Sequence, residues 1–157
     1  MDMSNKFDMV NTYLYIEGMS YEEKGVWVYI LAVTSAAIVY ATLILGKLNG
    51  QDVSEVDFGP TLLWTIGISI GLNIVLRIFV EIARPSDSYK VDARDKAIGH
   101  RGGYVNGNII AFGMIPVLLL AIGDFDNFWV ANAIYAVFIL AAITSSIVQV
   151  VAYRRGF

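Results

Sequence analysis

Four long apolar blocks, at about residues 26–45, 61–83, 104–122 and 128–153, constrain this chain more than any other feature. A hydrocarbon core about 30 Å thick is crossed by roughly 20 residues rising ~1.5 Å each. A soluble domain scatters its apolar residues at helix or strand period around one core, whereas here they run uninterrupted. The chain of 157 residues is 57% hydrophobic and 16% charged, with mean hydropathy +0.61. The blocks take up more than half of it, leaving connectors and no room for a separate catalytic domain. The expected fold is all-α, a four-transmembrane-helix bundle over residues 24–157, preceded by an N-terminal segment at residues 1–23.

The residue inventory removes whole classes of chemistry. Cysteine is absent and His100 is the only histidine. Thiol redox chemistry, thiolate metal sites, a paired-histidine haem site within one chain and an H-E-x-x-H metal site are therefore excluded. No cofactor, no metal and no catalytic set is expected. The net charge of −3 points away from direct nucleic-acid binding.

Orientation follows from the flanking charges. Four crossings put the N-terminus, the connector between the second and third blocks and the C-terminus on one side. That side holds Lys6, Lys24, Arg77, Arg84, Lys90, Arg94, Lys96, Arg101, Arg154 and Arg155, and the other holds Lys47 alone. The positive-inside rule then puts both termini in the cytoplasm. Residues 1–23 lack the basic start and apolar run of a secretory signal and are expected to stay attached. Phe7, Val10 and Leu14 share a face at helical spacing, which fits a short interfacial helix, and a loose tail is the other reading. The outer connectors carry Asp52, Glu55, Asp57, Asp124 and Asp126, read as solvated turns in preference to a cation site. Trp27, Tyr29 and Tyr153 fall near the inner interface, and Trp64, Phe128 and Trp129 near the outer one, as aromatic anchors.

Within the blocks, Pro60 marks a helix start, and Gly113 with Pro116 predicts a kink. Small residues recur at four-residue spacing: Ala32 and Ala36, Gly67 and Gly71, then Gly99, Gly103 and Gly107. In lipid such positions supply close packing. Packing inside one bundle is the favoured reading, and a homodimer face is the other. Polar residues concentrate in the inner halves: Asn73, Arg77 and Glu81 in the second block, Asn106 and Asn108 in the third, Ser145, Ser146 and Gln149 in the fourth. Unpaired polar groups in hydrocarbon are costly, so an inward-opening pocket or a hydrogen-bonded plug is expected at that level. Arg77 either works within this cluster or snorkels to the headgroups. A ladder Arg77, Glu81, Arg84 along one helix edge is also expected.

The connector before the third block is the densest polar stretch. Asp92, followed three residues later by Asp95, predicts an N-cap whose helix runs on into the third span. A metal pair, an acid–base pair, or a phosphate over Gly99 to Gly103 are the less specific alternatives. Asp92, Arg94, Asp95, Lys96 and Arg101 are the candidate partner-binding residues.

Met19-Ser20-Tyr21-Glu22-Glu23-Lys24, Asp92-Ala93-Arg94-Asp95, Phe128-Trp129-Val130-Ala131-Asn132-Ala133 and the terminal Tyr153-Arg154-Arg155-Gly156-Phe157 resemble a group of small, functionally uncharacterised prokaryotic four-helix membrane proteins of actinobacterial type. The resemblance covers residues 19–157. Members more often read Asp-Glu-Arg-Asp, so Ala93 departs from the pattern, and residues 1–18 extend beyond the usual start. The resemblance implies a multi-pass protein of the prokaryotic plasma membrane and transfers no activity. Such proteins often stand beside small helix-turn-helix regulators, which implies a regulatory partner.

The expectation for function is a non-enzymatic accessory or regulatory membrane protein, in contact with membrane lipid and binding a protein partner through its cytoplasmic face. The alternative is a small oligomeric transporter or channel using the polar cluster around Arg77. A lipid-acting enzyme built on Asp92, Asp95 and His100 comes third, because no activated nucleophile accompanies them.

Overall fold

A computed structural model describes residues 19–83, 85 and 90–155. Helix α1 spans Tyr21–Lys47, α2 Gly59–Ala83, α3 Ala93–Ile122 and α4 Asn127–Arg155, with a short 3-10 turn at Val53–Glu55. The described residues contain no strand. All four helices are long and apolar enough to cross a membrane, so the all-α four-helix architecture is as the sequence predicts. The interfacial helix considered for Phe7, Val10 and Leu14, the Arg84 step of the charge ladder, and residues 86–89 of the connector lie outside the described residues.

The helices overrun the apolar blocks because their polar ends are capped. Ser20 Oγ accepts from the Glu23 backbone N–H at 3.1 Å and starts α1 ahead of the first block. Asp92 and Asp95 form a reciprocal capping box that starts α3 well before the third block. At the C-terminal end of α3, Gly123 caps the helix, and Asp124 takes up a left-handed φ of 55°. Asp126 Oδ1 then accepts from the Phe128 N–H at 2.7 Å as α4 begins. In the connector between α1 and α2, Asp52 accepts from the Ser54 N–H at 3.2 Å. Pro60 lies in the first turn of α2, where its missing N–H costs nothing. Helix α3 runs unbroken through Pro116.

The spatial order is α2, α1, α4, α3. Helix α1 packs against α2 and α4, α4 packs against α1 and α3, and no comparable contact joins α2 to α3. Position in this row decides burial. Helix α1 buries a stripe at helical spacing, Val28, Ala32, Ala36, Tyr40 and Ile44. Helix α4, flanked on both sides, buries Ala141, Ala142, Ser145, Ser146 and Ala152. Hydrocarbon provides no hydrophobic drive between helices, so close approach at such small residues provides the packing energy instead. Helix α2, at one end of the row, buries Thr65 alone.

Close α3–α4 approach occurs at two glycines that the four-residue spacing does not select. A Cβ on Gly102 would strike the Gln149 side chain, and one on Gly113 would meet Val137 Cγ1 at 2.7 Å. Gly67, Gly71, Gly99, Gly103 and Gly107 have open space where their side chains would point. Internal packing, the favoured reading of those five, is therefore corrected, whereas Ala32 and Ala36 are buried as that reading requires.

At the end of the bundle that holds the α1–α2 and α3–α4 connectors, the connector after α1 folds back. Tyr40, Ile44, Val56 and Phe128 form a buried cluster on which Val53, Phe58 and Leu62 pack. Tyr40 donates from its hydroxyl to Asn132 Oδ1 at 2.8 Å, tying α1 to α4. Phe128, read as an interfacial anchor, is instead 3% exposed, because the 53–58 turn covers it and Phe58 meets it edge-on. Trp64 and Trp129 stay exposed.

Candidate functional site

The opposite end of the molecule gathers the start of α1, the end of α2, the start of α3 and the end of α4. Among the described residues Lys47 is the one lysine or arginine at the end that holds the α1–α2 and α3–α4 connectors. At the charged end a single carboxylate joins three elements. Asp95, in the first turn of α3, is buried. Its Oδ1 accepts from Ser20 Oγ at 3.1 Å and from the Tyr153 hydroxyl at 2.9 Å. The Asp95 N–H donates to Asp92 Oδ1 at 2.6 Å, which orients the turn. The carboxylate also faces the positive end of the α3 dipole, and hydrogen bonds to an ionised acceptor are the strong kind. Ser20 acts in both directions, accepting from α1 and donating to α3.

Around this clasp the charges pair between helices. Arg94 Nη2 donates to the Tyr153 carbonyl at 2.7 Å, satisfying a C-terminal acceptor of α4. Arg154 Nε lies 3.6 Å from Glu23 Oε1, with its guanidinium 5.8 Å from the Trp27 ring centroid. Lys24 Nζ is 4.0 Å from Glu81 Oε2, a pair with little exposure on either side. Arg77 Nη2 is 3.5 Å from Glu22 Oε1, and its guanidinium stacks 4.3 Å from the Tyr21 ring centroid. That plane lies on the backbone at Gly25, where a Cβ would come within 3.1 Å of Arg77 Cζ. Arg77 is thus held at the charged rim by residues of α1.

The candidate partner-binding residues divide by role. Asp92 and Asp95 are committed to the cap and the clasp, and Arg94 to the end of α4. Lys96 and Arg101 are exposed on α3, with His100 beside them. Asp95, Ile98 and Gly102 face inward on the same turns. A shallow hollow of about 510 Å³ lies on this part of α3, with Lys96, His100 and Tyr104 among its walls.

The intramembrane polar residues do not converge. Asn73 and Asn106 line one groove between α2 and α3. Asn108 donates from Nδ2 to the Tyr104 carbonyl of its own helix at 2.7 Å. Gln149 lies over Gly102, with Nε2 3.4 Å from the Ser145 carbonyl. Ser145 and Ser146 donate to the Ala142 carbonyl at 3.1 and 2.8 Å. Arg77 and Glu81 turn to α1. Among the described residues no group of three or more His, Asp or Glu side chains is placed to hold a metal ion.

Sequence reasoning did not single out Ser20, Glu22, Gly25 or the Tyr153 hydroxyl. Ser20 was accessible to it, because Ser-x-x-Glu at residues 20–23 is the same capping signature used for Asp92. Tyr153 was not, since its partner lies 58 residues away in the chain. Compared with known proteins, the chain matches no family model, no curated protein and no solved structure.

Proposed function

We propose that this is a non-enzymatic accessory or regulatory protein of a prokaryotic plasma membrane, with both termini cytoplasmic, which docks a protein partner on its charged end. The observation that carries this reading is the two-sided start of α3. One face is fixed to α1 and α4 through Asp95, Ile98 and Gly102, and the other presents Lys96, His100 and Arg101 outward. A rigid base with an exposed basic face suits a partner segment rich in carboxylates, because complementary charge steers association and fixes register. Asp92 and Asp95, the acid–base pair that a lipid-acting enzyme would need, are tied into the clasp, and this favours a binding role. Orientation rests on the concentration of lysine and arginine at that end.

A solute path around Arg77 has less support. Transport sites use intramembrane charge near the midplane and broken helices. Arg77 is bound at the rim by Glu22 and Tyr21, and α3 is continuous.

The test is chemical cross-linking in native membranes followed by purification of the full chain. A discrete cross-linked partner is expected, lost in Lys96→Glu with His100→Glu while the melting temperature in detergent stays unchanged. Recovery of the chain alone across several detergents and cross-linkers would overturn the reading.

A further inference from the structure

The separation of α2 from α3 leaves a groove of about 650 Å³, floored by α1 and α4 and walled by the other two helices. Its lining is graded. From Leu62 to Ile74 along α2, a length of ~18 Å at helical rise, the walls are mostly apolar, with Asn73 of α2 and Asn106 of α3 towards the charged end and with Tyr29 and Tyr135 also among the lining side chains. Ser69 lies one turn deeper. Among the described residues neither carboxamide has a hydrogen-bond partner, whereas Asn108 and Asn132 each donate to a carbonyl of their own helix. Two unpaired carboxamides from different helices on one groove call for an occupant that brings acceptors to them.

Size and depth select the occupant. The groove's volume falls within the roughly 300–1,000 Å³ of small-ligand sites. Asn73 lies one turn, ~6 Å, deeper than Arg77 at the charged rim. In a phospholipid the ester carbonyls lie just below the headgroup charges, and an acyl chain continues inward from them. We infer that the groove between α2 and α3 binds one acyl chain of a membrane phospholipid, its ester carbonyl accepting hydrogen bonds from the Asn73 and Asn106 carboxamides. The site is independent of the docking face and stands or falls without it.

The full chain is reconstituted into vesicles of phosphatidylethanolamine and phosphatidylglycerol containing a phosphatidylethanolamine with a diazirine in one acyl chain, and photolabelled. Label is expected to concentrate on groove peptides around Ile70 and Phe138 relative to the exposed surface at Leu118 and Leu119. In Asn73→Leu with Asn106→Leu, groove labelling should fall roughly tenfold, the effect of losing two neutral hydrogen bonds, with surface labelling unchanged. Asn108→Leu should leave both alone. Ala131→Phe keeps the carboxamides and fills the apolar half, so it should also clear the groove label if the double variant fails to fold. Equal labelling of groove and surface overturns the inference, as does groove labelling that survives both the double variant and Ala131→Phe. Since the chain has no cysteine, Ile70→Cys provides a further check. A disulfide-linked dimer in membranes, with the groove shielded from label, would mean that a second copy fills it and would equally overturn the lipid assignment.

Discussion

Asp95 and Asp92 are three residues apart and do unequal work. Asp92 satisfies one backbone donor of α3. Asp95 also takes hydrogen bonds from Ser20 and Tyr153, which belong to two other elements. Asp92→Ala should therefore cost about 1 kcal/mol, the usual worth of an N-cap, and leave the fold intact. Asp95→Ala strands two donors that bonded an ionised group, and should cost about 3 kcal/mol. Tyr153→Phe removes one of those bonds and should fall between them. Thermal melts of the three variants in one detergent give the ranking, and equal losses for Asp92→Ala and Asp95→Ala would show that Asp95 acts only as a capping residue. Arg94 belongs to the same scale. It is one of the candidate docking residues, and its guanidinium also donates to a carbonyl near the end of α4. That role depends on a contact between residues 59 positions apart, which no local pattern encodes.

At the scale of elements, the number and type of helices were legible because each apolar block is long enough to leave only one solution. The start of α3 was legible too, since a capping box is a local code. Which faces meet was not. In hydrocarbon the apolar pattern no longer distinguishes inside from outside, so glycine spacing alone cannot say which glycines are in contact. Gly113 and Gly107 lie on the same helix and illustrate the point. Val137 has a stiff, branched side chain and lies against Gly113. Gly113→Ala should cost about 1–3 kcal/mol through overpacking. Gly107 meets open space, and Gly107→Ala should gain up to ~1 kcal/mol of helix propensity. Melting the two variants beside the parent checks both signs. Gly102→Ala should cost less than Gly113→Ala, because the flexible Gln149 side chain can move aside. The polar cluster was only half legible for the same reason. Composition by depth located the inner-half residues, but the rotation of each helix sends Asn73 and Asn106 to one groove and leaves Asn108 and Gln149 bonded within their own helices.

For the whole molecule, the concentration of cations at one end makes topology testable. Reporters fused after Phe157 or inserted near Tyr89 should be active on the cytoplasmic side, and one near Gln51 on the outside. Agreement of the first two on the outer side would mean that the charge rule fails for this chain. The row α2, α1, α4, α3 also orders the events of synthesis. Lys24 with Glu81 and Arg77 with Glu22 link α1 to α2, so the first hairpin can neutralise its own charges as soon as both helices have left the insertion machinery. In the second hairpin Arg94 and Asp95 are tied to Tyr153 by hydrogen bonds to neutral groups. Of the contacts that join the halves, Ser20 to Asp95 needs only the third helix, whereas Tyr40 to Asn132 and Glu23 to Arg154 need the last. The first pair of helices thus holds partners for Lys24 and Arg77 within itself, while Glu23 and Tyr40 meet theirs only across the seam between the two hairpins.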